Sequence, residues 1–178
     1  MNFGYGNSYR YNTKLCYLVV PKCASSVLIR ELNMNEIPNT EYKIKFTFIR
    51  HPFTRLKSFM WQQSVNSIKD TEELLNKIIK NFYNCDEHCY PYSDYVNFNE
   101  LDFIGTLENF NRDITKITNK KIARNISINH QKTLTNKTQN LYVNTIKIYN
   151  ELIIKNKKAL SKLYENDFKL FQKVKNAY

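Results

Sequence analysis

Residues 15–26 read Leu15-Cys16-Tyr17-Leu18-Val19-Val20-Pro21-Lys22-Cys23-Ala24-Ser25-Ser26. The first six form a short continuous apolar run that ends at a proline. An apolar run without alternation fits a strand buried on both faces, the kind a parallel sheet contains. Residues 25–32 follow, with Val27, Leu28 and Leu32 as the apolar positions of a first helix. A buried strand, a short loop and a helix in that order open an α/β layer. The loop also carries chemistry. A helix N-terminus presents unpaired amides and the positive end of a dipole, both of which attract anions. Lys22 adds a mobile positive charge, Ser25 and Ser26 add hydroxyls, and the small Ala24 lets the backbone approach a phosphate closely. The Gly-x-x-x-x-Gly-Lys-Ser/Thr pattern is absent, which argues against an ATPase or GTPase.

Working outward, residues 33–39 contain Asn and Pro and read as a loop. Residues 44–49 (Ile-Lys-Phe-Thr-Phe-Ile) alternate β-branched and aromatic residues and read as a second strand. His51-Pro52 opens a helical segment to Gln63, since Pro is comfortable in a first turn. Asp70-x-x-Glu73 reads as a capping box. Leu74, Leu75, Ile78, Ile79 and Phe82 then recur on one helical face. A third strand is expected at 101–105 and a helix at 107–117. Residues 118–138 are polar and read as a long loop, and 144–174 as a lysine-rich helical end. The alternation predicts an α/β chain with a parallel sheet, organised as a single domain over 1–178. In such sheets ligands bind at the carboxyl ends of strands.

The second expected strand ends in Arg50-His51-Pro52-Phe53-Thr54-Arg55-Leu56-Lys57-Ser58. Arg50 stands at the carboxyl end of that strand, and Ser58 about two helical turns further on. Arg is suited to forked recognition of a phosphate, and Ser supplies a donor. Two phosphate sites on neighbouring strand ends point to a nucleoside with phosphates at both ends.

The loop at 21–27 resembles the 5′-phosphosulfate loop of sulfotransferases that use 3′-phosphoadenosine 5′-phosphosulfate (PAPS). The element from Arg50 to Ser58 is similar to their 3′-phosphate motif. Asp86-Glu87-His88, followed by the stretch 101–108, is similar to a segment of the carbohydrate sulfotransferase branch. So is Tyr164-Glu165-Asn166-Asp167-Phe168 near the end. The resemblance implies a P-loop-like three-layer α/β fold with a small central parallel sheet flanked by helices. It implies that Lys22, Cys23, Ala24, Ser25, Ser26 and Val27 hold the 5′-phosphate, and Arg50 and Ser58 the 3′-phosphate. It implies PAPS as co-substrate, adenosine 3′,5′-bisphosphate (PAP) as product, and no metal. The leading acceptor is a glycan hydroxyl, with an amine, a tyrosine or a small metabolite as alternatives.

There are departures from the family pattern. Ala24 replaces a frequent Gly, and Val27 stands where cytosolic relatives carry Trp. The interval from Ser26 to Arg50, where relatives often place their base, holds no His, only Glu31, Glu36 and Glu41. Lys22 is the expected catalytic cation, stabilising charge on the leaving oxygen. His88 is the expected base, beside Asp86 and Glu87, with Glu31 and Glu36 as runners-up. His51 is read as structural and His130 as a solvated loop residue. Trp61, Gln62 and Gln63 offer stacking and hydrogen bonding for a sugar, although a lone helical Trp more often belongs to the core.

The bulk properties agree with this but do not decide it. The chain has 178 residues, 42% of them hydrophobic, with only three Gly and four Pro, so it has the material for a core and is not low-complexity. Lys and Arg number 27 against 16 acidic residues, a net charge of +11, which favours a phosphate-bearing partner. Part of that charge reflects a composition rich in Lys, Asn, Ile and Tyr. The C-terminal lysines read as a solvated face. A basic RNA-binding protein is the main rival, yet its usual motifs are missing and the lysines are dispersed, so no specific nucleic acid is expected. A P-loop-like kinase of a small molecule is a second, but the Walker lysine context and a magnesium-binding Asp after a strand are missing, and a non-catalytic nucleotide-binding relative is a third. No signal peptide or membrane-spanning run is seen, so a soluble cytoplasmic protein without a membrane partner is expected, with Cys16, Cys23, Cys85 and Cys89 as thiols. Cys85 and Cys89 flank His88 but lack a second ligand pair for zinc. The oligomeric state is left open.

Overall fold

The structure is a computed structural model that describes residues 8–10, 15–37, 44–63, 67–120 and 136–177. Its strands are β1 (Ser8–Arg10), β2 (Leu15–Leu18), β3 (Asn35–Ile37), β4 (Ile44–Ile49) and β5 (Phe103–Thr106). They form one sheet in the order β3-β1-β2-β4-β5. β2, β4 and β5 run parallel, while β1 pairs antiparallel with both β2 and β3. The helices are α1 (Ser25–Glu31), α2 (Pro52–Gln62), α3 (Ile68–Asn81), α4 (Phe110–Thr118), α5 (Asn136–Lys155), α6 (Lys157–Leu163) and α7 (Glu165–Asn176). The class is α/β, as the alternation of elements predicts.

The chain divides into two compact units. One comprises Met1–Arg50, Pro91–Ile126 and Lys169–Tyr178; the other comprises His51–Tyr90 and Ser127–Phe168. The first holds the sheet. All four residues of β2 are buried, as its unbroken apolar run requires. β4 is exposed at Ile44 and buried from Phe46 onward. Tyr17, Leu28, Phe46, Phe48, Phe110 and Ile114 pack as its core. Burying each large apolar side chain is worth about 1.5–3 kcal/mol. Polar groups set the register. The Thr47 hydroxyl donates to the Leu18 carbonyl at 2.6 Å where β2 ends. The Lys45 amide donates to the Asp102 carboxylate at 2.7 Å, and the Asp102 amide donates to the Lys45 carbonyl at 2.9 Å, which aligns β5 on β4.

The core of the second unit forms around Leu56, Phe59, Met60, Leu75, Ile78, Tyr149 and Leu160. α3 begins one turn earlier than expected. Ser67 caps it, accepting from the Asp70 amide at 3.1 Å and donating to the Asp70 carboxylate at 2.6 Å. The helix cap is therefore Ser67 with Asp70 and not Asp70-x-x-Glu73, and the Asp70 carboxylate accepts from the Ser67 hydroxyl.

Other boundaries differ for physical reasons. The loop expected at 33–39 contains β3. Asn33 takes a left-handed conformation (φ 49°) after α1, and the Met34 amide bonds back to the Ile29 carbonyl at 2.8 Å. That cap turns the chain directly into an edge strand. The lysine-rich end is three helices, and the first begins at Asn136, inside the segment expected as loop. The breaks fall at Asn156 and Tyr164, where ψ swings to 12° and 27°, outside the α-helical range. Neither Gly nor Pro marks these breaks, so sequence periodicity runs through them. Lys155, Lys157, Lys158, Lys162, Lys169, Lys173 and Lys175 are exposed, as a solvated face requires. Among the described residues no helix is long and apolar enough to cross a membrane.

Gly105 lies on β5 over the Phe48 ring. A Cβ there would sit 2.5 Å from a ring carbon that is itself fully buried. Gly105→Ala should therefore lower the unfolding free energy by about 1–3 kcal/mol, measured by urea denaturation. Unchanged stability would mean that the Phe48 ring has room to move.

Candidate active site

The first unit contributes two neighbouring strand ends. Beyond β2 the chain passes through Pro21, Lys22, Cys23 and Ala24 into α1. Lys22 (φ 66°) and Ala24 (φ 64°) both adopt left-handed backbone conformations without being glycine. Alternating handedness curls the backbone into the kind of amide-lined concavity that suits an anion. The Cys23 amide donates to the Val20 carbonyl at 3.3 Å, and the Ser25 hydroxyl donates to the same carbonyl at 3.1 Å. Ala24 caps α1 without a side-chain hydrogen bond. Cys23 is buried, Lys22, Ala24, Ser25 and Val27 are half-buried, and Ser26 is exposed.

Arg50 follows β4, which pairs in parallel with β2. It therefore stands on the same sheet edge as the Lys22 loop. Its backbone is held by Tyr92, which is fully buried. The Tyr92 hydroxyl accepts from the Arg50 amide at 3.3 Å and donates to the Arg50 carbonyl. Thr106 ends β5 at this edge, its amide held by the buried Asp113 carboxylate at 2.9 Å.

Ser58 and His88 belong to the second unit. Ser58 is half-buried on α2. His88 lies in a short 3-10 turn, Glu87–Cys89. Asp86 caps this turn, accepting from the His88 amide at 2.9 Å and lying 2.6 Å from His88 Nδ1. An ionised carboxylate only accepts, so the pair selects the tautomer with hydrogen on Nδ1 and leaves the Nε2 lone pair to take a proton. Partial burial works to raise the Asp86 pKa, but the His88 amide and ring and the Gln63 side chain outweigh it and hold the carboxyl below its ordinary 3.8. The carboxylate that steers the ring thus stays ionised well into acid. Asp86, of the two acids beside His88, is the one that holds the ring.

The other candidates stand apart. Glu31 is exposed and pairs with Arg30 at 3.4 Å. Glu36 lies on β3, with its backbone opposite Tyr9. Glu41 and His130 fall outside the described residues. His51 stacks edge-on against Phe53 and Phe168 at centroid distances of 5.7 and 5.4 Å, a structural setting. Trp61 packs edge-on to Tyr142 at 4.7 Å. Among the described residues, Cys16, Cys23, Cys85 and Cys89 form no disulfide. Cys85 and Cys89 are in hydrogen-bond contact, and burial pushes both thiols up, Cys89 to about 12. Among the described residues no group of three or more His, Cys, Asp or Glu side chains gathers where an ion could sit.

A comparison with family models matches residues 31–174 to the Sulfotransferase family. That is most of the chain. The chain belongs to the sulfotransferase family. The match includes Arg50, Ser58, His88 and Tyr164, and starts after the loop at 21–27. No curated protein and no solved structure matches the chain.

As a sulfotransferase it carries one residue that the sequence reading passed over. Tyr92 lies in a stretch of short turns without periodicity, so nothing in the pattern marked it. Tyr92→Phe should cost about 1 kcal/mol of stability and speed hydrogen exchange at the Arg50 amide. Wild-type exchange at that amide would show that the hydroxyl does not hold Arg50.

Proposed function

We propose that this sulfotransferase moves a sulfuryl group from PAPS to an acceptor hydroxyl, with a glycan as the leading acceptor class, and releases PAP. The observation that carries this reading is the pairing of Lys22 and Arg50 on one edge of adjacent parallel strands. Parallel strands present their loops to one ligand, and here each loop brings a cation. The loop from Cys23 to Val27 takes the 5′-phosphate chiefly through the amides of Ala24, Ser25 and Ser26 and the Ser26 hydroxyl, since the Cys23 and Val27 amides and the Ser25 hydroxyl bond the Val20 and Ala24 carbonyls and shape the loop. Arg50 takes the 3′-phosphate. Ser58 joins it on the strength of the sequence resemblance. Because the family match runs through segments of both compact units, we read the two as parts of one catalytic domain.

The acceptor oxygen attacks sulfur in line with the bond to the 5′-phosphate oxygen. That S–O bond breaks as the new one forms, and the bonding pair stays on the phosphate. Lys22 stabilises the charge that builds there. The acceptor proton passes to His88 Nε2, with Asp86 holding Nδ1.

Lys22→Ala should reduce turnover at least 100-fold while PAP binding is only partly lost. Full activity in that variant would sink the assignment. Thermal stabilisation by PAP, compared with ATP and with RNA, separates the nucleotide from its rivals: a shift with ATP or RNA and none with PAP would overturn PAPS dependence. A screen with sulfur-labelled PAPS over glycans and small molecules identifies the acceptor.

A further inference from the structure

We propose that Arg55 and Tyr164 are positioning residues for His88, holding the turn from which the imidazole projects. The proposal rests on the reading of His88 as the base. Arg55 lies on α2 and is 3% exposed. Its Nη2 donates to the His88 carbonyl at 3.2 Å and its Nη1 to the Tyr90 carbonyl at 2.6 Å. Tyr164, also 3% exposed, donates its hydroxyl to the Cys89 carbonyl at 2.6 Å. Three consecutive carbonyls, at residues 88, 89 and 90, are thus each held by a buried side chain. Asp86 holds the amide and ring of the same His88. The turn is tied down on its carbonyl side and on its amide side together.

The chemistry of the two side chains fits this task. A buried guanidinium is costly unless its N–H groups are bonded, and its planar fork spans two acceptors at once. The single ammonium of a lysine does not reproduce that fork. Arg55 stands in the motif Arg50-x-Pro52-Phe53-x-Arg55, where an arginine would ordinarily be assigned to phosphate. Its burial and its two backbone acceptors assign it to the His88 turn instead. Tyr164 stands at the break between α6 and α7, and that break lets its hydroxyl reach Cys89. Around them Pro52, Leu56 and Cys89 line a shallow notch with His88.

The test uses the full chain with three variants, Tyr164→Phe, Arg55→Lys and His88→Ala, and an acceptor from the labelled screen. Tyr164→Phe removes one oxygen and keeps the ring. It should lower kcat roughly 10- to 100-fold with the KM for PAPS unchanged, as displacement of a base requires. In the His88→Ala background the same change should lower kcat no further, because the residues act as a unit. An equal loss in that background overturns the proposal. So does wild-type kcat in both Tyr164→Phe and Arg55→Lys when His88→Ala is impaired. A His88→Ala variant at wild-type rate removes the base reading by itself. The ring resonance of His88 by NMR then still reports on positioning. It should shift or broaden in Tyr164→Phe, and an unmoved signal overturns the clamp.

Discussion

The parallel alignment of β2 with β4 is the constraint on which the first unit depends. Two strands that point the same way deliver their following segments to the same edge, so the Lys22 loop and Arg50 both stand at the carboxyl ends of paired strands. The alignment is fixed by burial and by a few polar bonds. β2 is buried throughout and β4 from Phe46 onward, and the Thr47 hydroxyl captures the last carbonyl of β2 in a buried bond. An unpaired carbonyl at that depth would cost about 1–3 kcal/mol, so a slip of one residue is penalised twice, through the ladder and through the core. β1 covers the flank of β2, and β3 adds outside β1 as the edge strand.

Several residues, most of them within the motifs, hold or space the main chain. Asp102 sets the register of β5, Gly105 makes room for Phe48, Tyr92 holds the main chain of Arg50, and Arg55 and Tyr164 hold the main chain of the His88 turn. Phe168, from the C-terminal motif, lies edge-on to Phe53 at 4.9 Å, so two motifs far apart in sequence meet in one aromatic cluster. These side chains give the few reactive groups fixed platforms.

The strands and helices that bury one face were legible in the sequence. β4 lies where alternation put it, and the apolar run at 15–20 contains β2. What sequence did not display falls into two kinds. β1 and β3 are three residues each, too short for periodicity, and exist through pairing with β2 and with each other. The breaks at Asn156 and Tyr164 are single-residue departures from helix with no Gly or Pro to signal them. For the candidate site, Lys22, Ser25 and Arg50 were readable because cations and hydroxyls after strands are a chemical pattern. The supporting bonds of Tyr92, Arg55 and Tyr164 join residues 33 to 75 positions apart, and no local pattern encodes such a bond.

The left-handed turns at Lys22 and Ala24 have a bearing on ligand capture. Each costs about 1–3 kcal/mol when the residue is not glycine, and the surrounding fold must supply it. Here the buried Cys23 and the bonds to the Val20 carbonyl anchor the loop from below. A loop shaped this way before any anion arrives has met its ordering penalty during folding. Contacts made with a bound phosphate then appear as affinity and are not consumed in arranging the backbone.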